Sequence, residues 1–212
     1  MNTLIKNILL IPYKLLNRIS IFTYINNCQF EKNIAISTRN KIYSTTIKEY
    51  SYLGKRNVVI NTDIGKYCSI GSNCSIGLPS HPINFVSTSP VFLKGKNILR
   101  KNIASIDFDP YEKKTIIEND VWIGNNVIIK QGIKICNGSV IGMGAVLTKD
   151  VGPYEVWGGN PAKLLKKRFD HSIEKKLIDS EWWDASTDIL IECGQYINNP
   201  TEFLDALMKG ED

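Results

Sequence analysis

Residues 117–152 read IENDVW-IGNNVI-IKQGIK-ICNGSV-IGMGAV-LTKDVG, six hexads in register that each begin with isoleucine or leucine. An earlier block, residues 58–77, reads VVINTD-IGKYCS-IGSNCS-IG and keeps the same period. Side chains repeat about every 3.6 residues on a helix and about every 2 on a strand, so neither explains a period of six. A short repeat sustained over this length predicts the stacked coils of a β-solenoid, in which each coil buries the apolar edge of the next.

Two positions of each hexad are predicted to face the interior. The first residue fills the inside of a short strand, and a second residue four positions later also points inward. In the later block these second residues are Val121, Val127, Ile133, Ser139, Ala145 and Val151. Glycine or asparagine relieves strain at the turns, where φ can be positive. Three strands make one triangular coil of about 18 residues, which predicts about four to five coils.

The chain divides into three segments. Residues 1–30 are expected to be a helical or irregular extension, residues 31–165 the solenoid domain, and residues 166–212 a helical tail anchored by Trp182 and Trp183. The repeat is interrupted at 78–114 by a non-periodic excursion with a stretch rich in serine and proline. A long excursion inside a compact domain is typical of a functional loop.

Composition excludes several function classes. The 212 residues are 43% hydrophobic, enough to bury the core of one domain. The formal charge of +5 is mild, and the basic residues are scattered except for the run from Lys163 to Arg168. Nucleic-acid binding is not predicted, because it requires a clustered basic face. The short basic run suits a small phosphorylated ligand better than a duplex.

The cysteines form neither a metal-binding nor a disulfide pattern. No C-x-x-C pair is present, so no zinc site is expected, and nothing else in the sequence requires a metal. Cys68 and Cys74 occupy the same place in consecutive hexads, which predicts a packing role. Reduced thiols fit a cytoplasmic protein. A Walker-type phosphate loop is absent, so ATP use is not expected.

The stretch from Asn2 to Ser20 is apolar but carries Lys6, Lys14 and Arg18, with Pro12 in its middle. It lacks the uninterrupted run of about 20 apolar residues that a membrane span needs. We expect a helix that docks on a neighbouring subunit or on the end of the solenoid. The alternative is an amphipathic helix on an anionic membrane surface.

Four motifs carry a resemblance to a known family: SHPINFVSTSPVF at 80–92, VWIGNNV at 121–127, GPYEVWGGNPAK at 152–163 and EWWD at 181–184. With the hexads, they resemble the hexapeptide-repeat acyltransferases over residues 58 to 184. The similarity is to the branch of xenobiotic (chloramphenicol-type) and streptogramin acetyltransferases and their sugar O-acetyltransferase relatives. It implies a mainly β fold: a left-handed parallel β-helix with a protruding active-site loop and a C-terminal α-helix. It also implies acetyl-CoA as co-substrate and a homotrimer with its sites between subunits.

Acetyl transfer from a thioester to a hydroxyl needs a base, donors for the oxyanion and a groove for coenzyme A. The chain has two histidines, His81 and His171. His81, in its S-H-P setting, resembles the family's catalytic histidine and is the predicted general base. The alternative is a loop histidine bonded to backbone. His171 follows Asp170 and is expected to be a surface residue at a helix start.

The resemblance also implies residues that hold the cofactor and stabilise the oxyanion. The backbone amides of Gly124 and Asn125 would face the oxyanion, with Trp122 lining the site. The pantetheine arm would run along Gly142, Met143, Gly144 and Ala145, and the nucleotide phosphates would meet Thr148, Lys149, Lys163 and Arg168. The alternatives are that the small residues are ordinary turn residues and that the basic residues are simply solvated. The pocket for an apolar acceptor would be lined by Tyr50, Tyr52, Phe85 and Phe92.

We therefore expect acetyl-CoA-dependent O-acetylation of a carbohydrate, a surface polysaccharide or its precursor. The first alternative is an antibiotic acetyltransferase of the chloramphenicol or streptogramin type. N-acetylation of a nucleotide-linked amino sugar is less favoured, because no dedicated nucleotide-sugar module precedes the solenoid. A non-catalytic solenoid scaffold also stays open, since a fold alone does not establish catalysis.

Overall fold

The computed structural model describes residues 18–210, which wind into a parallel β-solenoid with three faces. Face 1 contains β1 (Tyr24–Asn26), β4 (Lys41–Tyr43), β7 (Val58–Ile60), β10 (Ser75–Leu78), β13 (Ile128–Lys130) and β16 (Val146–Leu147). Face 2 contains β2 (Gln29–Phe30), β5 (Thr46–Ile47), β8 (Thr62–Ile64), β11 (Thr115–Ile117) and β14 (Lys134–Ile135). Face 3 contains β3 (Ala35–Ile36), β6 (Tyr52–Leu53), β9 (Ser69–Ile70), β12 (Trp122–Ile123), β15 (Val140–Ile141), β17 (Glu155–Gly158) and β18 (Lys163–Lys167).

Three corners connect these faces. The first corner joins face 1 to face 2, the second joins face 2 to face 3, and the third joins face 3 to face 1 of the next coil. Every strand pair is parallel except β17 and β18, which form an antiparallel hairpin at the end of face 3. The predicted fold class is confirmed.

The hexad register is confirmed by burial. The first residue of every hexad, from Ile64 to Ile76 and from Ile117 to Leu147, is at most 1% exposed. The second inward residue of each later hexad is at most 5% exposed. These side chains form one continuous core, in which Cys68 and Cys74 are also buried, as predicted. Burial raises the pKa of Cys68 to about 12, which keeps the thiol protonated and inert.

The solenoid begins earlier than residue 31, the predicted start. An isolated bridge pairs Ile19 with Ile36, β1 pairs with β4, and β2 pairs with β5, so the described part of the 1–30 extension belongs to the coils. Face 1 has six strands, one more coil than the predicted maximum. The early periodicity was hidden because polar residues fill inward positions there, namely Thr23, Asn40, Thr45, Ser51, Asn57 and Thr62. Residues 1–17, which contain most of the predicted N-terminal helix, lie outside the described residues.

The glycines at the second position of the hexads serve close approach between coils rather than positive φ, except Gly77 (φ 68°), where the excursion begins. A Cβ on Gly71 would lie 2.8 Å from the backbone N of Asn125, in the coil below. Positive φ is instead adopted two residues later, as at Asn73 (φ 60°) and Asn126 (φ 60°). Asparagine tolerates this region better than most residues do.

The C-terminal tail differs from the single helix predicted from Lys166 onward. Residues 163–167 form β18, and three helices follow: α1 (His171–Asp179), α2 (Thr187–Cys193) and α3 (Pro200–Gly210). Helix α1 ends because Glu181 adopts a left-handed conformation (φ 42°) before the 3₁₀ turn Trp182–Asp184. The tail is anchored as expected, since Trp183 is 4% exposed and Trp182 packs 5.2 Å from the ring of Tyr67.

The excursion leaves after β10 and returns at β11, across the first corner. It contains the 3₁₀ turn Pro90–Phe92 and a bridge between Leu93 and Ile106. Its base is closed by two hydrogen bonds: Ser80 N donates to Pro110 O (3.0 Å), and Asn61 Nδ2 donates to Tyr111 O (2.8 Å). No helix between residues 18 and 210 is both long and apolar enough to cross a membrane.

Candidate active site

His81 lies at the start of the excursion with its imidazole exposed. Its Nδ1 is 2.8 Å from the backbone oxygen of Thr88. A carbonyl oxygen only accepts hydrogen bonds, so Nδ1 carries the proton in the neutral ring, and Nε2 keeps its lone pair. The backbone contact foreseen as the alternative is present, and it leaves Nε2 available as a base.

The position of His81 depends on Gln131, which sequence reasoning missed. Gln131 Nε2 donates to Ser80 Oγ at 2.6 Å, and the Gln131 side chain is largely buried at the first corner. This contact ties the residue before His81 to the coil below. The sequence signal was weak. It consists only of a polar residue, Gln131, directly after β13, the strand that neighbours β10, from which the excursion departs.

The third corner brings together the predicted oxyanion and pantetheine residues. Trp122 is 53% exposed on face 3, and Met143 is 73% exposed one coil below Asn125. The prediction for Gly124 as an oxyanion donor is wrong, because its N–H donates to Ile141 O at 2.8 Å within the coil stack. Its amide is therefore already used.

The amide of Asn125 differs because of a column of side chains along this corner. Lys55 N donates to Ser72 Oγ (2.9 Å), and Ser72 N donates to Asn125 Oδ1 (2.7 Å). The next side chain in the column is Met143, whose thioether is a poor acceptor. Within residues 18–210, the Asn125 N–H consequently has no hydrogen-bond acceptor.

Of the remaining residues predicted to contact the pantetheine arm, two lie at the surface of the third corner and one lies in the core. Gly142 and Gly144 shape the outer backbone of the corner beside Met143, and a Cβ on Gly144 would meet nothing within 4 Å. Ala145 is fully buried, so its side chain faces the core and cannot contact a ligand. Because Ala145 occupies the second inward position of its hexad, only its backbone is left for the predicted contact with the pantetheine arm.

The four predicted phosphate ligands lie in three separate places. Thr148 and Lys149 are exposed at the first corner, and Lys163 is exposed at the start of β18. Arg168 lies at the second corner, where its Nη1 donates to Gly138 O (2.6 Å) and pairs with Asp120 Oδ2 (3.2 Å). Arg168 is thus occupied by structural contacts and lies apart from the other predicted phosphate ligands.

The four predicted acceptor residues are also divided. Phe85 packs edge-on to Phe108 with ring centroids 6.1 Å apart, and Phe92 ends the 3₁₀ turn of the same excursion as His81. Tyr52 points outward on face 3, two strands from Trp122. Tyr50 is elsewhere: it stacks on Tyr67 (5.1 Å) at the second corner and helps to hold the tail.

An open groove of about 700 Å³ on face 1 was not anticipated. Its walls include Lys41, Tyr43, Asn61 and Tyr111. Burial raises the pKa of Tyr43, and the neighbouring Tyr24 and Tyr111 add to the effect. The groove covers β1, β4 and β7, and the next strand of the face is β10, which leads to His81. Tyr43 escaped prediction because the coils before the excursion lack the clear hexad pattern, and Tyr111 because it lies in the non-periodic excursion.

Between residues 18 and 210, no group of three or more His, Cys, Asp or Glu side chains could hold a metal ion. His171 begins α1 after its N-cap Asp170, whose side chain accepts from Ile173 N, as predicted for a surface helix start.

Comparisons with known proteins agree with this architecture. Residues 114–149 match the family model "Bacterial transferase hexapeptide (six repeats)". A chloramphenicol acetyltransferase of Klebsiella aerogenes is 41% identical over 130 residues, which cover 59% of this chain and 60% of that protein. The chain thus spans about 60% of the length of that relative.

A probable macrolide acetyltransferase of Lysinibacillus sphaericus is 32% identical over 154 residues, 72% of this chain and 82% of that protein. Among solved structures, a variant of AntD, an N-acyltransferase from Bacillus cereus in complex with dTDP-4-amino-4,6-dideoxyglucose and coenzyme A, aligns with a TM-score of 0.56. It is 18% identical, and the alignment covers 76% of this chain and 84% of that chain, a likeness of fold. By its hexads, its coils and these relatives, the chain belongs to the hexapeptide-repeat acyltransferase family.

Proposed function

We propose that this protein transfers an acetyl group from acetyl-CoA to a hydroxyl of a carbohydrate, a surface polysaccharide or its precursor. The observation that carries the proposal is the bond from His81 Nδ1 to Thr88 O, which leaves Nε2 unprotonated and exposed. The enzyme would act in the cytoplasm, where the five free cysteines stay reduced.

His81 acts as the general base in this proposal. Nε2 takes the acceptor's hydroxyl proton as the oxygen attacks the thioester carbonyl, and the new C–O ester bond replaces the C–S bond. The resulting imidazolium keeps its Nδ1–H on Thr88 O and returns the Nε2 proton to the departing thiolate. Gln131 holds the loop in place through Ser80.

The oxyanion donor is assigned to the N–H of Asn125, since that of Gly124 is occupied. An unpartnered amide needs no reorganisation to donate to a developing negative charge. Trp122, Gly142 and Met143 form the adjoining exposed surface for the pantetheine arm. Lys163 supplies a point charge for a nucleotide phosphate. Thr148 and Lys149 would contact the phosphates only if the nucleotide extended to the first corner.

A complete site requires two chains. His81 lies at the first corner and Asn125 at the third, at opposite ends of β13. Six residues separate Asn125 from Gln131, a span of up to about 20 Å at about 3.3 Å per residue. We therefore place His81 of one subunit against the third corner of its neighbour in a homotrimer. The excursion exposes Ile83 (91%) and Ile98 (92%), which such a contact would cover.

The groove on face 1 supports a saccharide acceptor. Tyrosine rings present flat apolar faces, while the Lys41 amine and the Asn61 amide present hydrogen-bonding groups that suit sugar hydroxyls. Three strands about 4.8 Å apart give the groove a length of about 10 Å, so it suits an extended chain.

Chloramphenicol is the second candidate acceptor. It is favoured by the 41% identity to a chloramphenicol acetyltransferase. Phe85 and Phe92 lie in the same excursion as His81 and offer the apolar side chains that a drug would contact.

The test is thiol release from acetyl-CoA with oligosaccharides, simple sugars, chloramphenicol, streptogramin A and amino sugars as acceptors. His81→Ala should lower kcat by about a hundredfold or more and leave acetyl-CoA binding nearly intact, as expected for loss of a general base. His171→Ala is the matched control and should behave as wild type. Unchanged turnover in His81→Ala would remove His81 from the mechanism.

Two further variants separate the acceptors. Tyr43→Ala should reduce turnover of a saccharide, and Phe85→Ala should reduce turnover of chloramphenicol. Turnover of chloramphenicol alone would overturn the saccharide assignment. If no acceptor caused thiol release and coenzyme A did not bind, the scaffold alternative would be favoured.

A further inference from the structure

A second cavity lies at the second corner, between the solenoid and its C-terminal tail. It has a volume of about 450 Å³, within the range of about 300–1,000 Å³ usual for small-molecule sites. Tyr67 and Tyr154 of the second corner form one side, and Trp182 and Phe203 of the tail form the other. We call this cavity the tail pocket.

The walls of the tail pocket are aromatic and well packed. The rings of Tyr67 and Trp182 have centroids 5.2 Å apart, and Trp182 meets Phe203 edge-on at 6.0 Å. Tyr154 packs against Phe169 at 5.5 Å. Such surfaces favour a flat ring or a compact apolar group.

The charged side chains of the pocket neutralise each other. Arg168 lines it with its guanidinium 5.3 Å from the Tyr154 ring centroid and 3.2 Å from Asp120 Oδ2. Burial raises the pKa of Asp120, and the nearby Arg168 opposes that rise. Because the pair has no net charge, the pocket favours an uncharged ligand over an anion or a cation.

The hydroxyl of Tyr154 donates to no acceptor in the described part of the chain, although the residue is only 1% exposed. Burial raises the pKa of Tyr154 to about 12, with Trp182 opposing the rise, so the phenol stays protonated. The indole of Trp182 offers only an N–H and cannot accept the phenolic proton. Buried hydroxyls in proteins almost always have a partner, so this one calls for an acceptor from outside the chain.

We propose that the tail pocket binds a small uncharged molecule that combines an aromatic or compact apolar ring with an oxygen that accepts a hydrogen bond from the Tyr154 hydroxyl. The ligand bridges the solenoid and the tail and strengthens their contact. The site is separate from acetyl transfer, since His81 lies at the first corner and Tyr154 at the second.

Acetophenone and ethylbenzene are matched probes, because they share a ring and differ in the carbonyl oxygen. We expect acetophenone to bind the full-length protein, measured by ligand-observed NMR, and to raise its melting temperature. Tyr154→Phe should weaken acetophenone binding by about fivefold to tenfold, the effect of one hydrogen bond, and leave ethylbenzene binding unchanged. His81→Ala should bind both probes as wild type does.

A second variant covers the possibility that Tyr154→Phe folds poorly. Gly194 lines the pocket in a helical conformation (φ −61°), and a Cβ there would meet nothing within 4 Å. Gly194→Trp should fill the cavity and abolish binding of both probes. Equal acetophenone binding by wild type and Tyr154→Phe would overturn the role of the hydroxyl. Binding of neither probe to the wild type would mean that the pocket holds only water, and would overturn the proposal.

Discussion

The coils before the excursion and the coils after it share one architecture but have different interiors. Before the excursion, the inward corner positions are mostly polar, with Asn40, Asn57, Ser51 and Thr62 at most 1% exposed. After it, the equivalent positions are mostly apolar, with Val121, Val127, Ile133, Ala145 and Val151 all buried, and Thr115 and Ser139 are the polar exceptions. The strands are equally regular in both halves, so a triangular coil accepts either chemistry inside.

Hydrogen bonding explains how polar residues fit there. Asn57 Nδ2 donates to Gly71 O (2.9 Å) while its Oδ1 accepts from Cys74 N (2.7 Å), and Asn40 makes the same kind of link one coil earlier. The side chain thus joins backbone groups that the turn leaves unpaired. At Ala145 the backbone closes the turn itself, because Ala145 N donates to Gly142 O (3.3 Å). Polar and apolar interiors are two solutions to the same requirement.

The largest loss of stability is expected in the coils after the excursion, whose interior is mostly apolar. Ile129→Asp buries an unpaired charge at a fully buried position, which should remove most of the about 5–15 kcal/mol of stability usual for a domain. The variant should be insoluble or lack a cooperative melting transition by far-UV circular dichroism. Ile128→Asp is the matched control, because Ile128 is 45% exposed on the same strand, and its coils should stay folded. A native melting curve for Ile129→Asp would contradict the hexad register.

An intermediate effect is expected when the polar half is given the chemistry of the apolar half. Asn57→Val copies Val127, which occupies the same column, and leaves Gly71 O and Cys74 N without partners. The free energy of unfolding should fall by about 3 kcal/mol, because each buried unpaired group costs about 1–3 kcal/mol. Lys55→Ala, at an exposed position of the same corner, is the control. Stability equal to wild type would show that the amide links are dispensable.

The smallest effect is expected at the first corner. Thr62→Val keeps the shape of the side chain and removes a hydroxyl that donates to Ile60 O (2.8 Å), two residues earlier. The expected loss is about 1 kcal/mol, or about 2–4 °C in melting temperature for a chain of this size. Thr201→Val, on the exposed side of α3, should have no effect. A loss as large as that of Asn57→Val would mean that the hydroxyl links coils and does not only close a local turn.

The same contrast explains what was predictable. Where inward residues are isoleucine and valine, as from Ile117 to Val151, the period is visible in the sequence and the register is correct. Where asparagine and threonine point inward, hydrophobic periodicity is lost, although the coils continue back to Ile19. The tail was predicted as helical but not as β18 and three helices, because Glu181 breaks the helix through a backbone conformation that composition does not reveal.

For the candidate site, residue types were easier to predict than their availability. His81 stands where the repeat ends, but its free Nε2 depends on Thr88 O, seven residues away in a folded loop. Arg168 and Tyr50 are plausible binding residues by type, yet Asp120, Gly138 and Tyr67 already occupy them. Ala145 is small, as a pantetheine contact should be, but its side chain points into the core, which leaves only its backbone for such a contact.

By itself, the sequence determined the solenoid, the inward positions of the later coils, the excursion and the histidine at its start. A period of six is satisfied by coils that bury the first residue of every hexad, so these features follow from local pattern alone. The tertiary structure decided which amides are free, which charges are paired and where the two pockets form. Those properties depend on atoms brought together across coils, and hydrogen-bond partners 14 to 53 residues apart, such as Ser72 and Asn125, are invisible to any local pattern.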